Sequence, residues 1–285
     1  MNAIHIQTVG IAGAGTMGAG IAMVCAQAGY KVILADISQA MLLKAESAIQ
    51  ASLAKLESNG KIDARRKTEI MALIVFSEAV GNMKADLILE AIVEKTEAKT
   101  ALFKQLMDLN GPETIYATNT SSIPITQIAA GVSLPENVVG IHFFNPAQIM
   151  KLVEVIRGAK TKNEVLDQSV AFVRTLGKQP VVAADAPGFI VNRIARLYYV
   201  ESLKMLEERV CSIETLDGIM ESCGFKMGPF KLMDLIGVDT NYAVTESQYK
   251  LFNFEPRFRP SRIQKQKVDA GLHGKKTKAG FYTYE

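Results

Sequence analysis

Tryptophan is absent from the 285 residues, and histidine and cysteine occur only three times each. Cys25, Cys211 and Cys223 are odd in number and widely spaced, with no C-x-x-C pair. Neither a disulfide framework nor a zinc site is therefore indicated. The three read as reduced, mostly buried thiols, and Cys25, inside an apolar helical run, reads as a small hydrophobe. No uninterrupted apolar stretch approaches the length that spans a membrane, and no basic-then-apolar leader opens the chain. That points to the cytoplasm. An excess of one charge is also missing: 32 Lys and Arg against 29 Asp and Glu leave +3. So small a surplus argues for neither nucleic acid nor an anionic membrane as partner.

What remains is an ordinary globular profile, with 48% apolar and 21% charged residues. The length suits one large domain or two unequal ones. Along the first two-thirds, short β-rich runs at 8–12, 31–35, 86–92, 115–118, 138–143, 152–156 and 180–183 read as strands. Helical patterns such as 18–28 and 96–109 separate the early ones, which implies a mostly parallel, doubly wound sheet. The last strands follow one another closely, so mixed or antiparallel pairing is expected there. Between the second and third of these runs lie two helical patterns, 38–58 and 63–73, broken at Asn59-Gly60. Ser38 suits the cap of the first, and Leu42, Ala45, Ile49, Leu53 and Leu56 form its apolar stripe. Simple dinucleotide folds join these strands by a shorter route, so the pair is expected to serve a substrate. Near residue 185 the pattern changes to helices only, at 189–208, 213–222, 229–236 and 239–252, with Pro229 at a helix start and Gly237 just past an end. The expected architecture is a Rossmann-type α/β domain over 1–185, carrying its insertion at 38–73. A smaller all-α substrate and dimerisation domain follows over 186–285.

The first βα connection is Gly13-Ala14-Gly15-Thr16-Met17-Gly18, a G-x-G-x-x-G between an apolar strand and an apolar helix. Gly13 permits the tight turn, Gly15 lets a pyrophosphate approach the backbone, and Gly18 allows close helix–strand packing. Free amides at the helix start face the diphosphate. Asp36 ends the next strand, at the spacing expected for the acid that binds the adenosine ribose. Its charge repels a 2′-phosphate, which favours NAD over NADP. The alternative for Asp36 is a helix-capping role ahead of Ser38.

Of the histidines, His5 lies near the terminus and His273 in a Gly- and Lys-rich tail loop. His142 ends the run Val138-Val-Gly-Ile at the carboxyl edge of the sheet, where ligands bind. Taken alone, a histidine on an apolar strand is more often a packed core residue. Glu154 sits at the centre of the apolar strand Leu152-Val-Glu-Val-Ile, where an unpaired carboxylate is costly. The strand of His142 offers its partner. A His142–Glu154 pair fixes the imidazole tautomer and stabilises its protonated form, as a general base for alcohol oxidation beside a nicotinamide requires. An edge strand with Glu154 facing water is the alternative. Asn119-Thr120-Ser121-Ser122, after a strand, and Asn192, early in the helix beyond the boundary, are further groups able to hold a substrate oxygen; each also reads as a cap or a packed amide.

Together GAGTMGAG (13–20), EAIVEK (90–95), NTSS (119–122), HFFNP (142–146), MKLVEVIRG (150–158), APGFIVNR (186–193), MGPFKLMDLIG (227–237) and KTKAGFY (276–282) resemble the 3-hydroxyacyl-CoA dehydrogenase family, in order along almost the whole chain. The resemblance extends especially to its stand-alone bacterial 3-hydroxybutyryl-CoA members. It implies His142 as acid/base, Glu154 as its orienting partner, and Ser121 and Asn192 near the substrate oxygen and the nicotinamide. It also places Glu94, Lys99, Asn119 and Lys276 around NAD. Ser52 matches a serine that contacts CoA. A lysine used by some relatives falls at Asn59, leaving Lys55 or Lys61 to replace it; that basic cluster reads equally as a solvated helix face. A homodimer through the helical domain, an interdomain active site and an acyl-CoA substrate follow from the same resemblance. Two rivals stand beside it, a dehydrogenase of a free hydroxy acid and a non-catalytic NAD-binding sensor.

Overall fold

Eight strands form a single sheet in a computed structural model that describes residues 6–285. They are β1 (Thr8–Ala12), β2 (Lys31–Ala35), β3 (Ile74–Ser77), β4 (Leu87–Glu90), β5 (Ile115–Thr118), β6 (Val138–Phe143), β7 (Leu152–Arg157) and β8 (Gln179–Ala184). Their order across the sheet is β3-β2-β1-β4-β5-β6-β7-β8. All neighbours pair in parallel except β6 and β7, which run antiparallel. Every residue of β4, β5 and β6 is buried. Such strands lie between two helical layers, which is why their sequences read as continuous apolar runs. The order reverses between β1 and β4, so the carboxyl ends of these strands flank the crevice where open α/β sheets take ligands.

The chain divides into two units, one ending at Ala186 and the other spanning Pro187–Glu285. In the first, α1 (Thr16–Gln27), α2 (Gln39–Ser58), α3 (Ala64–Ala72), α4 (Thr96–Asn110), α5 (Ile125–Ala129) and α6 (Asn163–Thr175) accompany the sheet. Ser38 caps α2 by accepting from the Met41 amide (3.4 Å), and Leu42, Ala45, Ile49 and Leu53 turn inward. The strand β3 was not expected. Its four residues follow directly on α3 at the edge of the sheet, too short to show alternation of their own. The helical insertion α2–α3 therefore joins β2 to this added edge strand, not to β4.

The second unit contains α7 (Val191–Glu207), α8 (Ile213–Ser222), α9 (Pro229–Ile236), α10 (Val238–Leu251) and α11 (Arg262–Asp269), the last of which the sequence reading missed. Its own core gathers Tyr199, Leu203, Leu216, Phe230, Met233, Val238 and Phe281. Two fully buried carboxylates organise it. Asp217 accepts from the Phe230 and Lys231 amides at the start of α9 and from the Tyr282 hydroxyl. Asp234 accepts from the amides of Phe281 and Tyr282 (both 2.8 Å) and from the Tyr284 hydroxyl (2.9 Å). The tail is thereby stitched to α8 and α9.

One expectation about the cysteines fails. Cys25 is buried, Cys211 half-buried and Cys223 exposed, so the thiols are not mostly buried. Cys223 closes α8 just past the last turn, where the helix end faces solvent. Burial pushes the Cys25 thiol up to about 12, which keeps it protonated and inert at neutral pH.

Candidate active site

The glycine loop joins β1 to α1 at the reversal of strand order. Gly13 has φ +104°, and a Cβ there would lie 2.6 Å from the Ala91 carbonyl oxygen. A Cβ on Gly18 would lie 1.7 Å from the Gly13 carbonyl oxygen, whereas one on Gly15 would meet nothing within 4 Å. Gly13 and Gly18 thus serve the turn and the packing, and Gly15 keeps the backbone open to a ligand. No side chain caps α1 at Gly15, so its first amides and the helix dipole suit a diphosphate. Asp36 accepts from the Ala14 amide through Oδ2 (2.8 Å) and from the Ser38 amide through Oδ1 (2.9 Å). The cap of α2 is Ser38 itself, and Asp36 instead braces the loop with its carboxylate held at the end of β2. These residues fit an NAD adenosine diphosphate.

Beside the loop lies a charge network that the sequence did not reveal. Glu90 ends β4 with no exposed surface and accepts from Lys99 Nζ, Thr118 Oγ1 and the Ile92 amide, each at 2.7 Å. Lys99 also reaches Glu94 at 3.1 Å. Its side chain is 1% exposed, and the ammonium is enclosed between two carboxylates. Glu94 Oε1 gathers the Thr120 hydroxyl (2.6 Å) and the amides of Ser121 (3.0 Å) and Ser122 (3.2 Å). Burial alone would raise the Glu94 carboxyl. The Lys99 charge and these donors outweigh it and hold Glu94 below the ordinary carboxylate value. The signal that would have found Glu90 was present, since it ends an apolar strand just as Glu154 interrupts one.

Glu94 therefore sets the course of the loop after β5, and that loop carries Ser121 to His142. Ser121 Oγ lies 3.2 Å from His142 Nε2. On the other side of the ring, His142 Nδ1 lies 2.8 Å from Glu154 Oε2. The antiparallel register places His142 directly opposite Glu154, and both side chains are buried. An ionised carboxylate only accepts, so in the neutral imidazole Nδ1 carries the proton and Nε2 presents its lone pair. Asn119 Oδ1 accepts from the Phe143 amide (2.8 Å), so Asn119 pins the end of β6 with its carbonyl. The ring of Phe144 packs on the imidazole at 4.6 Å between centroids. Ser121, His142 and Glu154 thus form a chain of polar contacts from a loop through two strands.

A cleft of about 800 Å³ runs from Gly15 and Thr16 along α2. One side is α2 and its sequel, with Lys44, Ser52, Lys55, Asn59 and Lys61; the other includes Asn145, Pro146, Gln148 and Ile149. Ser52 donates to the Ala48 carbonyl (2.8 Å). Both lysines named as alternatives line this cleft, as does Asn59. In the second unit, Asn192 is the second residue of α7, and Lys276 pairs with Asp239 at 2.6 Å. His273 also lies in that unit, 3.8 Å from Asp239, while His5 lies outside the described residues. Among the described residues, no group of three or more His, Cys, Asp or Glu could hold a metal ion.

Residues 8–186 match the model of the 3-hydroxyacyl-CoA dehydrogenase NAD binding domain, and residues 188–284 that of the 3-hydroxyacyl-CoA dehydrogenase C-terminal domain. The chain is 46% identical to 3-hydroxyadipyl-CoA dehydrogenase of Escherichia coli strain K12 over 99% of its own length, yet it spans only 60% of that protein. It is 40% identical to 3-hydroxybutyryl-CoA dehydrogenase of Bradyrhizobium diazoefficiens, covering 98% of this chain and 96% of that one. The crystal structure of (S)-3-hydroxybutyryl-CoA dehydrogenase from Ralstonia eutropha superposes with a TM-score of 0.95 at 39% identity, covering 99% of this chain and 100% of the other.

Proposed function

The chain belongs to the 3-hydroxyacyl-CoA dehydrogenase family, and on that footing we propose that it interconverts (S)-3-hydroxybutyryl-CoA and acetoacetyl-CoA with NAD. The observation that carries the chemistry is the chain from buried Glu154 through buried His142 to Ser121 at the carboxyl end of β6. The four-carbon acyl group rests on relatives of matching length that are named for it. When bound, NAD accepts the hydride in one direction, and its reduced form donates it in the other.

In oxidation, His142 Nε2 takes the proton from the 3-hydroxyl. Glu154, fixed on Nδ1, keeps the ring in the tautomer that leaves Nε2 basic and offsets the charge that then develops. In reduction, the imidazolium returns that proton to the forming alkoxide. Ser121 Oγ, beside Nε2, holds the substrate oxygen, and Asn192 supplies a second polar group from α7 by family likeness. Asp36, the glycine loop and Glu94 bind and brace the cofactor side, with Lys99 acting through Glu94 and Lys276 reserved to the family pattern. Ser52 and Lys55 receive the CoA portion in the cleft along α2. The protein is read as a cytoplasmic homodimer assembled through its second unit.

The test follows NADH absorbance with acetoacetyl-CoA, and with 3-oxoadipyl-CoA as the competing acyl group. His142→Gln is expected to lose about 10²- to 10⁴-fold in kcat while still binding NADH. An unchanged kcat would overturn the acid/base assignment. A wild-type protein that binds NADH but oxidises it with no 3-ketoacyl-CoA is instead a sensor.

A further inference from the structure

We infer that Lys178 is a positioning residue for the thioester-carrying substrate, because its ammonium ties down the β6–β7 loop that forms one wall of the cleft. This rests on the reading of that cleft as the acyl-CoA site.

The loop leaves β6 after Phe143 and enters β7 at Leu152. Within it, the amides of Ile149 and Met150 both donate to the Pro146 carbonyl at 3.0 Å, which closes a turn. Ala147 is buried in the apolar core beside α1, where a Cβ on Gly20 would lie 3.2 Å from the Ala147 Cβ. The other tip residues project outward, and Ile149 is 73% exposed on the cleft side. A wall of this kind exposes main-chain carbonyls and lacks a strand neighbour to hold them.

Lys178 supplies the missing restraint from outside the loop. It follows Gly177 (φ +67°) in the tight connection between α6 and β8. Its Nζ donates to the carbonyls of Ala147 (2.6 Å) and Met150 (2.8 Å), the second and last residues of the turn. The next residue continues the same join: the Gln179 amide donates to the Lys151 carbonyl at 2.8 Å. Both ammonium bonds go to main-chain oxygens, and burial draws the lysine below its ordinary value. A cation held this way cannot be replaced by an apolar side chain without releasing two carbonyls. The released turn carries Gln148 and Ile149 away from their places opposite α2. His142 is less affected, because β6 is held by its own ladder and by Asn119.

The substitution series is Lys178→Met, which removes both bonds, and Lys178→Gln, which keeps an amide donor. With acetoacetyl-CoA, Lys178→Met is expected to raise KM about fivefold to tenfold, Lys178→Gln less, with kcat within about twofold of wild type in both. With the truncated thioester acetoacetyl-N-acetylcysteamine, which lacks the nucleotide that the cleft would seat, all three proteins are expected to share one KM. NADH affinity, measured by fluorescence, should be unchanged and reports an intact fold. A KM that does not change in either variant, or a fall in kcat at constant KM, overturns the inference. So does an equal KM penalty with the truncated thioester. If wild type itself ignores acetoacetyl-CoA, the underlying reading fails first, and that result is distinct from any of these.

Discussion

A carboxylate with two-fifths of its side chain exposed, Glu94, holds three consecutive residues of the loop that carries Ser121. Its folded value lies below its unfolded one, held there against burial by Lys99 and the loop donors. Its contribution to stability is therefore complete above the unfolded value and lost as pH falls through the folded one. The difference in Tm between wild type and Glu94→Gln is expected to be level near neutrality and to shrink below about pH 4.5. A difference that persists unchanged down to about pH 3 would show that Glu94 acts through shape and not charge. At this scale the sequence was partly legible. Glu154 betrayed itself as a charge inside an apolar strand, and His142 stood out as a histidine at a ligand-bearing strand end. Lys99 did not, because its enclosure depends on Glu90 and Glu94 meeting it from a different element. Lys178 looks like any surface lysine until its two carbonyls, some thirty residues upstream, are folded against it.

Helices and strands were easier to read than single contacts, with instructive exceptions. The long capped helix α2 announced itself through Ser38 and its apolar stripe, while β3 was lost behind α3 and α11 is short, with Ile263 and Val268 its only apolar residues. At the end of the chain, KTKAGFY was legible as a motif, but its attachment to a buried carboxylate was not. Yet Phe281, Tyr282 and Tyr284 are tied to the single carboxylate of Asp234, and Gly280 is required beside it, since a Cβ there would lie 2.1 Å from Asp234 Oδ1. Asp234→Ala leaves two main-chain amides and a hydroxyl without their acceptor. We expect a loss of about 3–5 kcal/mol in urea unfolding. A cost under about 1 kcal/mol would mean that the tail finds other acceptors or contributes little to the second unit.

At the scale of the molecule, the two units have separate apolar cores: one packs α1, α2 and the sheet, the other packs α7 to α9 with the tail. The second also leaves apolar groups uncovered. Ile194 and Leu197, one turn apart on α7, are 68% and 43% exposed, and Leu235 and Ile236 end α9 in the same condition. Exposed apolar side chains of this kind are available to the interface of the proposed homodimer. Sedimentation equilibrium is expected to give twice the chain mass for wild type and a monomer for Ile194→Asp. A wild-type monomer would remove the dimer from the reading.

The register of β6 on β7 has one more consequence, which concerns the making of the protein and not its working. Ile141 faces Val155 and Phe143 faces Val153, so a slip of one residue would give His142 a valine for a neighbour in place of Glu154. The glycine loop, by contrast, is bounded by β1, β2 and the end of β4, all of which precede β6 in the chain. On the proposed mechanism, turnover needs this one antiparallel join closed in its correct register, which makes activity itself a quality mark for the sheet.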